Sequence, residues 1–282
     1  MITTDSIRLN STPSHIIIEN SNLIISEMGI MDPNDQAKGE VAELNNDLKK
    51  TKTILDKLQR PVYFEKIDLN QDAMEDYIVC AFGNYTGHLL AFESTGKNKF
   101  RKHAINSLPG ARKVVVKDFN NDDLPDVIAL MAQGDEQLIL YTNKGEFQFG
   151  QTVLLRFPPV YGCNSFELAD FNSDGFSDLL LTNGDNGDYS IILKPYHAVR
   201  IFMNDGKNNL TETWSFPMPG ASQATAHDFD KDGDLDIAAI SFFPNFKNHP
   251  EQSFIYFENK GKEDFKASTF PGAGEGRWLV ME

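Results

Sequence analysis

The stretch DFDKDGDLD, residues 228–236, packs five aspartates into nine positions. Unpaired carboxylates at this density repel one another. Their spacing offers a remedy. Asp228, Asp230, Asp232 and Asp236 occupy positions 1, 3, 5 and 9, and Gly233 at position 6 permits a sharp bend. Alternate positions of a curled loop can point inward together. Hard oxygens converging on one point suit Ca²⁺, with a backbone carbonyl from position 7, Asp234, joining the set. A charge run is more often a solvated face, so the case rests on recurrence.

The pattern recurs three times. DFNNDDLPD (118–126) offers Asp118, Asn120, Asp122, the Leu124 carbonyl and Asp126. DFNSDGFSD (170–178) offers Asp170, Asn172, Asp174, the Phe176 carbonyl and Asp178. DLNQDAMED (68–76) offers Asp68, Asn70, Asp72, the Met74 carbonyl and Asp76, with Ala73 in place of Gly. The loops begin at 68, 118, 170 and 228, and each precedes a short apolar run: YIVCAF, VIALMA, LLLT and IAAISFF. An EF-hand needs Glu at position 12 and flanking helices. Position 12 is Val79, Ala129, Leu181 and Ala239, and the following runs read as strands, which excludes that motif.

The elements that position these loops follow from the repeat. From Gly110, ARKVVVKDF, PDVIALMA, EQLILYT and EFQFGQTVLLRF read as four strands. Asn143-Lys144-Gly145 is a turn between the last two, and Ser94-Thr95-Gly96, Asn204-Asp205-Gly206 and Asn259-Lys260-Gly261 repeat it. Four strands per repeat of roughly 50 residues is the pattern of a β-propeller blade. The expectation is an all-β propeller of four-stranded antiparallel blades in one domain, 1–282. Five blades are expected at about 14–58, 61–107, 110–156, 160–215 and 218–270. Residues 39–58 look helical by composition, but the repeat frame makes them strands of the first blade, which has a short turn in place of an acidic loop. Residues 2–10 read as an outer strand and 276–281, GRWLVM, as an inner strand of further blades, so the expectation is either a partial chain of a larger propeller or a ring closed by a blade built from its two ends.

Composition narrows the function. The chain has 282 residues, 11% aromatic, enough for a large core. Its net charge is −15, and four divalent cations would cancel about half of it. An acidic chain without a basic patch argues against nucleic acid or an anionic membrane as partner. No apolar run approaches membrane-spanning length. The start, MITTDSIRLN, lacks the pattern of a signal peptide. Cys80 and Cys163 read as buried apolar residues.

With its acidic loops and following strands, the chain resembles the FG-GAP/VCBS repeat proteins, whose propeller is related to the integrin α-chain head. LRFPPVYG (155–162), TNGDNGDYSIILKPYHAVRIF (182–202) and GRWLV (276–280) are similar to large secreted VCBS proteins of Bacteroidetes and related bacteria. The resemblance implies a propeller of about seven blades, of which this chain would be part, and implies that the loop residues named above hold three or four Ca²⁺ in a structural role. Oxygen-only sites of this kind fill at extracellular Ca²⁺ levels, which implies an extracellular, periplasmic or cell-surface location.

The face opposite the acidic loops is the expected place for a ligand. It would collect Tyr85, Asp135, Asp185, Asp188, Tyr189, Tyr196, His197 and Arg277. No G-x-S-x-G, H-E-x-x-H or phosphate-binding glycine loop occurs. The expected function is therefore a non-catalytic module that binds a protein or a glycan. The alternative is a lyase-like enzyme acting on polysaccharide, which would require an acid–base pair or a Lys/Arg–His cluster converging on that face.

Overall fold

The structure, a computed structural model, describes residues 9, 11–19, 22–45, 47–185, 192–261, 264–270 and 272. The strands expected at 2–10 and 276–281 lie outside them, except for Leu9, which is in no strand. Twenty strands form five four-stranded antiparallel sheets, and helix is confined, among the described residues, to two single 3-10 turns. This is the all-β meander expected of propeller blades. Among the described residues no helix is long and apolar enough to cross a membrane.

Two compact units divide the chain. One comprises 1–133 and 139–152, the other 134–138 and 153–282, and the boundary runs within the third sheet. The first unit holds sheet one, β1 (Pro13–Glu19), β2 (Asn22–Glu27), β3 (Gly39–Leu44) and β4 (Lys50–Leu58). It also holds sheet two, β5 (Pro61–Ile67), β6 (Asp76–Ala81), β7 (His88–Ser94) and β8 (Phe100–Asn106). Sheet three is β9 (Ala111–Lys117), β10 (Asp126–Met131), β11 (Glu136–Asn143) and β12 (Phe149–Phe157). The second unit holds sheet four, β13 (Cys163–Ala169), β14 (Asp178–Asn183), β15 (Ala198–Asn204) and β16 (Leu210–Pro217). Sheet five is β17 (Ala221–His227), β18 (Asp236–Ser241), β19 (Phe254–Asn259) and β20 (Phe265–Thr269).

Burial explains these runs. The second strands β6, β10, β14 and β18 are buried at every position. Both faces of each are covered, so they read as continuous apolar runs instead of alternating. The fourth strands are largely exposed and carry charge, as in FRKHAIN of β8, which protects a sheet edge from stray pairing. In the first unit Ile24, Val41 and Leu55 of sheet one pack against Phe64, Val79 and Leu90 of sheet two. In the second, Leu180, Val199 and Ile201 of sheet four pack against Ile237, Ile255 and Phe257 of sheet five. Each such side chain stabilises the fold by about 1.5–3 kcal/mol on full burial. Residues 39–58 form strands β3 and β4, because Val41, Leu44, Leu55 and Leu58 are needed in this core. Both cysteines are buried and unbridged.

Candidate metal centre

Each acidic loop joins the first and second strands of its sheet, and all four hairpins close in the same register. Position 9 pairs with the residue before position 1: Asp76 with Ile67, Asp126 with Lys117, Asp178 with Ala169 and Asp236 with His227. Sheet one lacks such a loop, and Glu19 pairs with Asn22.

Within the loops the carboxylates have separate tasks. The position 1 carboxylate accepts the N–H groups of positions 5 and 6. In the last loop these bonds run from Asp232 and Gly233 to Asp228, both at 3.1 Å. Asp68, Asp118 and Asp170 do the same in the other three. The position 5 carboxylate accepts the N–H of position 7, at 2.8–3.0 Å in every loop. Left-handed residues curl the chain at positions 4 and 6, with φ of +66° at Lys231 and +101° at Gly233. Ala73 takes the same turn with φ +65°, so the loop at 68–76 keeps the fold of the others despite lacking glycine.

The position 9 carboxylate is buried in all four repeats and joins the second strand to the start of the acidic loop and to the third strand. Its Oδ2 accepts the N–H of position 2: Leu69 (3.0 Å), Phe119 (3.1 Å), Phe171 (2.9 Å) and Phe229 (3.1 Å). Its Oδ1 accepts an N–H at the end of the third strand: Ser94 (2.7 Å), Asn143 (2.8 Å), Asn204 (2.9 Å) and Asn259 (2.8 Å). Burial, with the neighbouring loop carboxylates, holds the Asp76, Asp126 and Asp178 carboxyls above the usual range.

Three residues belong to this site that sequence reasoning took for turn signals only. The amides of Asn143, Asn204 and Asn259 donate to the position 8 carbonyls of Pro125, Ser177 and Leu235, at 3.0–3.2 Å. Their side-chain oxygens accept the N–H of Gly145, Gly206 and Gly261. The recurring Asn-x-Gly, at the end of the third strand in three repeats, was the available signal. In the first unit the Asn143 amide also donates to the Leu69 carbonyl at 2.9 Å, so neighbouring acidic loops are tied together.

The loops differ at position 3. Asn70, Asn120 and Asn172 donate their amides to the position 5 carboxylate, at 2.9–3.1 Å. Asp230 has no such donor to offer. In this loop ligand oxygens of Asp228, Asp230 and Asp236 all lie within 4.8 Å of one another. Two oxygens on one Ca²⁺, each at 2.3–2.6 Å, can be no more than about 5 Å apart. The all-oxygen donor set and its spacing therefore fit a hard cation. Desolvation and the charges of Asp232 and Asp236 hold the Asp230 carboxyl above the usual range, and a cation would relieve that.

The ligand candidates named from sequence separate. Tyr85, in the β6–β7 loop, is 85% exposed. Asp135 accepts from the Gln137 amide at 2.6 Å and faces Arg156 at 3.5 Å. Asp185, Tyr196 and His197 come together in the second unit. The Asp185 carboxylate pairs with Lys194 and lies 3.6 Å from His197 Nε2, which has no hydrogen-bond partner. His197 Nδ1 accepts the Gly220 N–H at 3.2 Å, and Tyr196 stacks on Tyr161 at 5.2 Å. Burial pushes the His197 pKa down to about 4, with Lys194 adding to this and Asp185 opposing it. Asp188, Tyr189 and Arg277 lie outside the described residues.

No curated protein matches the chain. Among solved structures it is similar to the V. cholerae biofilm matrix protein Bap1, with TM-score 0.46, 14% identity, and coverage of 77% of this chain and 30% of that one. It is similar to the Bombyx mori GH32 β-fructofuranosidase BmSUC1 at TM-score 0.48 and 11% identity, covering 93% and 63%. For the Bacillus licheniformis rhamnogalacturonan lyase PL11 the values are 0.41 and 12%, covering 81% and 55%. The chain spans less than two thirds of each of these proteins, and at such scores none bears on its function. In the family comparison, residues 118–181 match the FG-GAP-like repeat. That stretch runs from Asp118, the first residue of one acidic loop, through the whole of the next, so the chain carries an FG-GAP-like repeat at 118–181 that takes in two of its four acidic loops.

Proposed function

We propose that the chain is a calcium-stabilised, non-catalytic propeller module, extracellular, periplasmic or on the cell surface, that binds a protein or glycan. The carrying observation is the convergence of Asp228, Asp230 and Asp236 oxygens within 4.8 Å, in a loop whose fold recurs three more times. Asp228, Asp230, Asp232 and the Asp234 carbonyl would hold the ion, with Asp236 closing the set. The equivalent residues would do so in the loops at 68–76, 118–126 and 170–178. A bound cation supplies neutralising charge and a fixed centre, and so holds the first strand to the second. Millimolar Ca²⁺ outside cells suits weak oxygen-only sites.

The test is thermal unfolding with millimolar Ca²⁺ and with chelator. A ligand of the native state alone, at a hundredfold excess over its Kd, adds about 2.7 kcal/mol. The melting temperature should rise with Ca²⁺, and less so in Asp228→Asn. No rise in a folded chain refutes the calcium reading. One observation favours a polysaccharide-active enzyme instead: Asp185, Lys194 and His197 form the kind of cluster a lyase would need. His197 is buried, however, which suits a structural role better. Turnover of an acidic polysaccharide that is abolished in His197→Gln, with folding intact, would establish the enzyme reading.

A further inference from the structure

We propose that the β6–β7 loop, residues 82–87, is a recognition site for the carboxylate of a uronic acid unit in an acidic glycan. In this structure the chain's own Asp35 fills it. The inference rests on the binding-module reading above and names a ligand class for it.

The loop is an anion nest built from backbone. The Asn84 N–H (3.1 Å), the Thr86 N–H (2.7 Å) and the Thr86 hydroxyl (3.1 Å) all donate to a single oxygen, Asp35 Oδ1. Successive N–H groups turned toward one point form a concavity suited to an anion. The turn depends on Gly83, with φ +65°, where an added Cβ would lie 1.7 Å from the Thr86 carbonyl oxygen. The Thr86 N–H, followed by its hydroxyl and the Asn84 and Tyr85 N–H groups, holds the Asp35 carboxyl below its usual range.

The nest is held in shape by groups other than Asp35. The Phe82 and Gly83 N–H groups donate to the carbonyls of Arg60 and Gln59, both at 3.1 Å. Arg60 Nη1 donates to the Gly83 carbonyl at 2.8 Å, and Gln59 Nε2 to the Thr86 hydroxyl at 2.7 Å. The Gln133 amide donates to the Asn84 carbonyl, and its own Oε1 is buried without a hydrogen-bond partner. A preorganised site of this kind keeps its donors in place when one carboxylate leaves and another arrives. Asp35 is, by contrast, the tip of an irregular segment, 28–38, between β2 and β3, whose residues Asp32, Pro33 and Gln36 are exposed. It can withdraw without unfolding a strand.

The surroundings favour a sugar. Tyr85 stands beside the nest with 85% of its surface exposed, offering an apolar ring face and a phenol. The Asn84 side chain and the Gln59 side-chain oxygen add neutral hydrogen-bonding groups beyond those that shape the nest, and these suit hydroxyls. A carboxylate to fill the nest, hydroxyls for the amides and a C–H face for the ring together describe a uronic acid.

Calorimetric titration of the intact chain at low salt tests this with three probes: a hexamer of galacturonate, a neutral galactose hexamer and hexaglutamate. Asp35→Ala removes the internal competitor at a half-buried position outside any strand. It should bind the galacturonate hexamer at least tenfold more tightly than the wild type, with no gain for the neutral hexamer. Tyr85→Ala added to Asp35→Ala should abolish most of that gain, while the melting temperature stays the same. Equal affinity of wild type and Asp35→Ala for galacturonate would overturn the proposal. So would a gain of the same size for the neutral hexamer, or tighter binding of hexaglutamate, which would make the site a peptide site. Binding of the neutral hexamer alone, indifferent to Asp35, would keep the module reading and overturn this one.

Discussion

Asp236→Asn isolates the work of the position 9 carboxylate from any role in holding a cation. Asp236 is fully buried, and it accepts three bonds: from the Asn259 N–H at 2.8 Å, the Phe229 N–H at 3.1 Å and the Tyr256 hydroxyl at 2.8 Å. An amide of the same shape has one accepting oxygen and one donating NH₂. If the oxygen faces Asn259, the NH₂ confronts the Phe229 N–H. If it is flipped, the NH₂ confronts Asn259. Either way one buried donor loses its acceptor, at about 1–3 kcal/mol, and the bonds that survive lose their charge assistance. The sum is about 2–4 kcal/mol. Urea unfolding in excess chelator measures it without any contribution from a metal. Asp230→Asn, in the same loop but without the bond to the third strand, is the control and should not destabilise under those conditions. Equal stability of Asp236→Asn and wild type in chelator would refute the reasoning, since it would mean that the three bonds contribute nothing.

Asp230→Asn should itself change sign with calcium. Without the ion it removes a repelling charge and raises the melting temperature, and with millimolar Ca²⁺ it lowers it; the same sign in both would count against a cation at this loop. Ala73→Gly should stabilise by about 0.5–1 kcal/mol in chelator, because Ala73 holds φ +65° and glycine takes that conformation without strain. Urea unfolding of the pair checks it. Acid should weaken the second unit through His197. Its pKa is about 4 when folded against an ordinary value of 6.5, so the unfolded chain binds the proton first. Stability from this group is complete above pH 6.5 and is lost as pH falls toward 4, by about 2–3 kcal/mol after allowing for solvent screening. Subtracting the pH profile of His197→Gln from that of the wild type should show this loss, and coincident profiles would refute it.

The repeat made much of this fold legible. Acids at positions 1, 5 and 9, each followed by a buried strand, located the four hairpins, because a strand covered on both faces must be apolar throughout. The same frame correctly turned residues 39–58 from a helix-like composition into β3 and β4. What stayed hidden were contacts between residues distant in sequence. Asn143, Asn204 and Asn259 come two strands and the loop between them after the acidic loops they brace, and Asn-x-Gly reads as a turn whether or not its amide reaches back. Asp35 had no pattern at all: its partners, Asn84 and Thr86, are about fifty residues away. The cluster of Asp185, Lys194 and His197 was half visible. Asp185 and His197 could be named, but only the structure brings them within 3.6 Å and adds Lys194.

The excess of aspartate in DFDKDGDLD divides into two demands. Asp228, Asp232 and Asp236 are engaged by backbone N–H groups, and those bonds fold the loop and anchor it to the third strand. Loops 68–76, 118–126 and 170–178 meet the same demand with the same three positions, and an asparagine at position 3 donates its amide to one of the resulting charges. Asp230 still accepts the Asp232 N–H at 3.1 Å, as the asparagine oxygens do in the other loops, but it replaces the amide donor with a further carboxylate, an exchange that hydrogen bonding inside the loop does not explain. Repulsion at this point would only weaken the fold unless something positive enters it. The loop at 228–236 should therefore be the tightest of the four for a divalent cation, and the three asparagine loops should fill after it.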